Sequence, residues 1–354
     1  MTRPDPSPPA SDTPQDDALT AVEAPEPEPW TPERATMWNA YYDLYVLGAA
    51  LLLVFMTSAV RTNHPSLWSH LRMGREIVAQ KSPLLADSFS YTEEGKTWVN
   101  VPWLYQAASA GLYDLAYGLV PVAPDDPTAN RASAEQVAVG TLVALTALIR
   151  LATAFVLIRI RHKGPGLWWA ALCTALAFGA VVGPAGLMLG GVAQPAIVDP
   201  STWGVLLLAI EALLLFRGLG QDRPGALYAL VPLFLLWANV DESFLFGLFV
   251  LAAAAIGKLL DGRKAAAVAP GEEARPPVSA GLAGGVLLAC GLAVLANPSH
   301  VRIYPAALEP ITSFFVGGEA PTTMNELSYF GKTLRSLYGD LATWLLLFYV
   351  ATVT

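Results

Sequence analysis

The sequence predicts an all-α polytopic membrane protein, with about eight transmembrane helices and a helix–hairpin–helix cap in the first outer loop. Three observations predict it. Hydrophobic residues make up 54% of the chain and the mean hydropathy is +0.45, which excludes an ordinary soluble protein. Only 14% of residues are charged, against about 25% in soluble domains. Long apolar runs recur near the length a bilayer requires. The net charge of −8 is largely local, because residues 1–36 hold eight acids and two bases. No basic patch points to nucleic acid. Cys173 and Cys290 both fall inside apolar runs, so they read as buried, inert thiols.

In chain order, residues 1–36 are rich in Pro, Ser, Asp and Glu and read as a disordered cytoplasmic tail ahead of a membrane domain over 37–354. The first apolar run is too long for a signal peptide. Span one is expected over Ala40–Val60, with Trp38, Tyr41, Tyr42 and Tyr45 as an interfacial belt. The polar insert 61–136 is the expected outer cap. Asn63–Gln80 reads as a helix with Leu67, Leu71, Gly74, Ile77 and Val78 on one face, suited to the membrane surface or to its own bundle. Lys81-Ser82-Pro83 ends it. Ser88–Tyr91 and Thr97–Val101 alternate as strands about a Glu93–Lys96 turn. Trp103–Val122 is interrupted by Gln106, Ser109 and Asp114 and reads as an interfacial or shallow helix.

Further spans are expected at Val137–Ile158, Leu167–Leu189, Trp203–Phe216, Leu227–Ala238, Phe244–Leu260 and Ala280–Leu295. The last apolar run, Asp340–Thr354, has no charged flank and reads as a span cut short. With the N-terminus inside, the inner loops 159–166, 217–225 and 261–278 collect Arg159, Arg161, Lys163, Arg217, Arg223, Arg263, Lys264 and Arg275, as the positive-inside rule requires. The insert, the loop 190–202, the break Asn239–Glu242 and the segment 297–339 then share the outer face.

Several polar groups stand out on this frame. Asp241 and Glu242 lie between two apolar runs. They read either as a solvated turn or as a base or cation site in an outward cavity. Asp87 either caps the hairpin or takes part in chemistry. His70 reads as a structural histidine or as a ligand. Arg302, with Tyr304 beside it, reads as a phosphate clamp or an interfacial anchor. Arg150 and Glu211 lie at similar depth in their spans and are expected to form a structural ion pair.

Four stretches carry a family resemblance. LWSHLRMG (Leu67–Gly74), PLLADSFSYTEEGKTWVNVPWL (Pro83–Leu104), LWANVDESFLFG (Leu236–Gly247) and NPSHVRIYP (Asn297–Pro305) occur in this order. Together they resemble motifs of a bacterial multi-span protein family related to the C-type glycosyltransferase superfamily, over about residues 40–354. The resemblance implies a protein of the bacterial inner (plasma) membrane that transfers a sugar from a polyprenyl-phosphate donor on the outer face. It implies Asp241, Glu242 and Asp87 as candidate catalytic acids. Trp68, His70, Arg72, Asn239, Arg302 and Tyr304 are the candidate substrate-binding residues, with membrane lipid as a partner and a divalent metal as the one cofactor such acids would hold. Three positions depart from the pattern: Ser66 stands where the superfamily has an acid after span one, Asp241 replaces a histidine, and Pro102 replaces an acid. The alternative is a non-catalytic scaffold, or a lipid- or partner-binding component, that kept the fold.

Overall fold

A computed structural model describes residues 32–58, 65–89, 94–121, 127–160, 167–182, 198–261 and 278–308. The chain divides into two compact units, Met1–Ala40 and Tyr41–Thr354, and every contact below lies within the second. Among the described residues the fold is all-helical. The helices are α1 (Pro32–Ser58), α2 (Pro65–Gln80), α3 (Trp103–Gly118), α4 (Pro127–Ile158) and α5 (Leu167–Val182). They are followed by α6 (Pro200–Leu215), α7 (Pro224–Tyr228), α8 (Leu230–Trp237), α9 (Phe244–Asp261) and α10 (Ala280–Val294).

Helix ends follow from local chemistry. Asp199 caps α6 by accepting from the Ser201 N–H at 2.7 Å, with Pro200 at the first helical position. Ser279 caps α10 by accepting from the Leu282 N–H. Helix α2 ends at Lys81, which takes the left-handed conformation (φ 51°) while the Ser82 N–H reaches back to the Ile77 carbonyl. The run expected as one span over Leu227–Ala238 is two helices. Pro232 has no N–H to give the Tyr228 carbonyl, and the helix is interrupted at Ala229.

Among the described residues, Arg131–Ile158 and Pro200–Gly220, the latter ending in a π-helical turn, are the two helices long and apolar enough to cross a membrane. Ala40–Met56, Phe244–Leu260 and Ala280–Val294 are shorter apolar helices, and α7 with α8 makes a further apolar stretch over Pro224–Trp237. The remainder of the expected Leu167–Leu189 span beyond Val182, and the run Asp340–Thr354, lie outside the described residues.

Four apolar groupings hold the described residues of the second unit, a small one pairing Val54 of α1 with Ala154 of α4. Leu207, Phe234, Trp237, Phe244, Leu251, Val286 and Val294 form the largest, joining α6, α8, α9 and α10. Leu67, Leu71, Ala110, Tyr113, Ala138 and Leu142 join α2, α3 and α4. Ala50, Ile158, Ala171 and Ala175 join α1, α4 and α5. The apolar face of α2 is therefore spent on α3 and α4, which decides between the two placements its periodicity allowed; Val78 is exposed. Side chains such as Met56, Leu148, Phe249, Ile256, Leu288 and Leu292 are nonetheless exposed on the outsides of the helices.

The hairpin expected in the cap is only partly regular. Ala86 and Thr97 form an isolated antiparallel bridge, supported by Trp98 N–H to Leu85 O and Asp87 N–H to Lys96 O, both at 2.9 Å. The pairing thus begins earlier than Ser88, and Trp98–Asn100 are not strand. Residues 90–93 lie outside the described residues.

Candidate functional site

The cap meets the helix break through α3. Gly74 lets α2 approach α3 closely, because a Cβ there would overlap the Gln106 backbone. This approach brings His70 of α2 beside the first turn of α3. The buried Gln106 side chain sits 3.4 Å from His70 Nδ1, accepts from Asn100 Nδ2 at 2.7 Å and lies 3.4 Å from the Met73 sulfur. His70 also packs edge-on against the Tyr105 ring.

Three residues earlier on α3, Trp103 turns to the break. Its indole N–H donates to Asn239 Oδ1 at 2.7 Å, and the Leu104 N–H donates to the Asn239 carbonyl at 3.1 Å. Asn239 Nδ2 in turn donates to the Leu235 carbonyl at 2.7 Å. From beyond α10, the fully buried Asn297 donates to the Ala238 carbonyl at 2.8 Å and lies 3.4 Å from Asn239 Oδ1, while its own Oδ1 accepts from the Ser299 N–H at 2.8 Å. These amides satisfy carbonyls that the end of α8 leaves without helical partners. Side chains from all four stretches singled out in the sequence thus meet along the start of α3.

Asp241 follows directly. It is 8% exposed, and its Oδ2 accepts both the Ser243 N–H, at 3.0 Å, and the Ser243 hydroxyl. The Ser243 oxygen also accepts from the Trp237 indole at 3.0 Å. Gly204 of α6 makes room, since a Cβ there would overlap the Asp241 carboxyl and the Ser243 hydroxyl. Burial pushes the Asp241 carboxyl up to about 6; the Ser243 bonds pull the other way, and Asp199 adds to the rise.

The remaining candidates are dispersed. Asp87 Oδ1 accepts from the Phe89 N–H at 2.8 Å, so it shapes its own turn. Arg72 pairs with Glu76 at 3.1 Å on the exposed face of α2. Trp68 is 42% exposed, edge-on to Tyr113. Glu242 is half-buried and Arg302 exposed. The Tyr304 hydroxyl donates to the Gly291 carbonyl at 2.6 Å, tying the end of the described chain to α10. Among the described residues no three His, Cys, Asp or Glu side chains are grouped as a metal would need.

The expected Arg150–Glu211 pair does not form. Although α4 packs on α6, Glu211 shares a face with Gly204, Leu207 and Leu215, all buried, and its carboxyl sits against Gly247 and Trp237. Equal depth along two helices fixes nothing about rotation around them.

Sequence reasoning missed Asn100, Gln106, Trp103 and Asn297 as site residues. The available signal was single amides placed in or beside apolar runs, where a buried amide needs a partner. A second cluster also went unread: Arg75 of α2 holds Asp114 of α3 with bonds of 2.6 and 3.0 Å and lies over the Tyr113 ring at 5.2 Å. Asp114 raises the Arg75 guanidinium above its ordinary value, and burial raises the Tyr113 hydroxyl. Comparison with protein-family models, with curated proteins and with solved structures finds no match.

Proposed function

We propose that this chain is a multi-span protein of a bacterial plasma membrane that keeps a C-type glycosyltransferase-like architecture and works as a non-catalytic component, binding a membrane lipid or a partner on its outer face. The observation that carries the reading is where the motif side chains are spent. His70, Gln106, Trp103, Asn239 and Asn297 are turned towards one another and towards backbone carbonyls, and Asp87 and Asp241 hold turns. Groups used in this way fasten a cap to a bundle. The membrane part is supported by the reversal of the usual pattern: amides and carboxyls such as Gln106, Asn297 and Glu211 are inside, while Leu288, Met56 and Ile256 are exposed on helix surfaces.

The test is transfer from a polyprenyl-phosphate-linked sugar by the purified full chain. On this reading no sugar is transferred, and deletion leaves the glycans of the cell unchanged while altering the amount of a partner or lipid. Sugar transfer that is lost in Asp241→Asn or Glu242→Gln overturns it. Topology is tested separately by single cysteines at positions 96, 163, 264 and 302. An impermeant reagent should label 96 and 302 from outside in intact cells; labelling of 163 would sink the arrangement.

A second reading, sugar transfer itself, is favoured by one observation. A carboxyl raised to about 6 at a buried turn is suited to act as a general base near neutral pH, with Glu242 next to it in the chain and Arg302 as the phosphate-binding cation.

A further inference from the structure

Glu211 is the buried acid that the cap junction does not use. It shares the buried face of α6 with Leu207 and Leu215, its residue is 0% exposed, and neither carboxyl oxygen has a hydrogen-bond partner among the described residues. The packing is shaped around it. On α9, Gly247 faces it, and a Cβ there would come within 2.6 Å of the Trp237 ring and 2.8 Å of Glu211 Oε2. The acid is thus given room by a glycine on the facing helix, as Asp241 is by Gly204. Charged and titratable groups nearby do not neutralise it. Helix α8 (LVPLFLLW) has none, and α10 (AGLAGGVLLACGLAV) offers Cys290 as its one titratable side chain. Lys258, near the end of α9, pairs with Asp222 at 3.6 Å. Arg150 of α4 makes no hydrogen bond to Glu211, and Arg217 lies in the π turn beyond the end of α6.

An ionised carboxylate without donors in such surroundings is costly enough that the group takes up a proton instead. Glu211 is 0% exposed, with Trp237 and Gly247 beside its carboxyl, so a proton is the cation that fits this packing. We infer that Glu211 is a proton-binding site inside the bundle, held as the neutral acid between α6 and α9. Proton uptake leaves a carboxylic O–H and C=O with no net charge, and proton loss places an unpaired charge where α6, α8, α9 and α10 meet. The inference does not depend on the function proposed above.

The test is infrared spectroscopy of the purified full chain in detergent at about pH 7, where an ordinary exposed carboxyl is ionised. The expected result is a carbonyl stretch of a protonated carboxylic acid that is present in the wild type and absent in Glu211→Gln. No such band, or one that survives in Glu211→Gln, overturns the inference. Thermal melting supplies an independent check, because an amide is close in shape to a neutral acid. Glu211→Gln should fold and melt as the wild type does. Failure to fold, or a large fall in melting temperature, would mean that the ionised carboxylate was structural, and would equally overturn the inference.

Discussion

The junction between the cap and the helix break, and the interface between α6 and α9, bury polar groups in opposite ways. At the junction the amides are matched among the described residues, with the exception of the Asn100 Oδ1 atom. Asn297 serves the Ala238 carbonyl and the Ser299 N–H, Asn239 serves Trp103 and Leu235, and Gln106 serves Asn100. At the α6–α9 interface Glu211 has no such matches. A buried polar group with its bonds made contributes modestly to stability and strongly to uniqueness of packing, whereas one without them is kept at a cost. The first region is thus read as a fastener. The second is where chemistry of another kind has reason to be.

Breaking the fastener should show the larger effects. Gly74→Val should be the most damaging single change, because any side chain at that point overlaps the Gln106 backbone and α2 must move off α3. A loss of about 3 kcal/mol or more is expected, at the severe end for a point change, read as reduced melting temperature in mild detergent. Asn297→Leu comes next. It strips partners from the Ala238 carbonyl and the Ser299 N–H at once, and about 2–4 kcal/mol should go. At the other extreme, Arg72→Ala removes an exposed pair one helical turn apart, and the loss should stay under about 0.5 kcal/mol.

Asp241 sharpens the comparison through pH. Its folded value, about 6, lies above the ordinary 3.8. The folded chain therefore holds the proton more tightly than the unfolded chain. The stabilisation is fully present below about pH 4 and is lost as pH rises through 6, roughly 3 kcal/mol in all. Asp241→Asn keeps acceptors for Ser243 and has no proton to lose, so its melting temperature should be flat across this window where the wild type falls. An unchanged slope in the variant would assign the pH dependence to another group.

Much of the fold was legible in the sequence because helix limits are written locally. The expected Phe244–Leu260 and Ala280–Leu295 runs nearly coincide with α9 and α10, and the helix end expected at Ile158 is the end of α4. The break at Asn239–Glu242 was visible as polar residues between apolar runs. What could not be read was azimuth and partnership. Arg150 and Glu211 match in depth, yet the rotation of α6 aims Glu211 at Gly247. The Trp103–Asn239 bond joins residues 136 apart in the chain, and no periodicity records it. The split at Ala229 was within reach, since Pro232 was in plain view and its missing donor acts four residues back. The dispersal of Trp68, Arg72 and Arg302 away from Asp241 needed coordinates.

The motif side chains act as a single fastener between cap and break. A double-mutant cycle on Trp103→Phe and Asn239→Ala, followed by unfolding of the full chain in detergent, tests it most directly. The indole donates to the amide at 2.7 Å, so each single change should already forfeit the shared bond. The double change should then cost less than the sum of the two by about 1–2 kcal/mol. Losses that simply add, within about 0.3 kcal/mol, would mean that the two side chains do not hold each other, and the fastener would be contradicted.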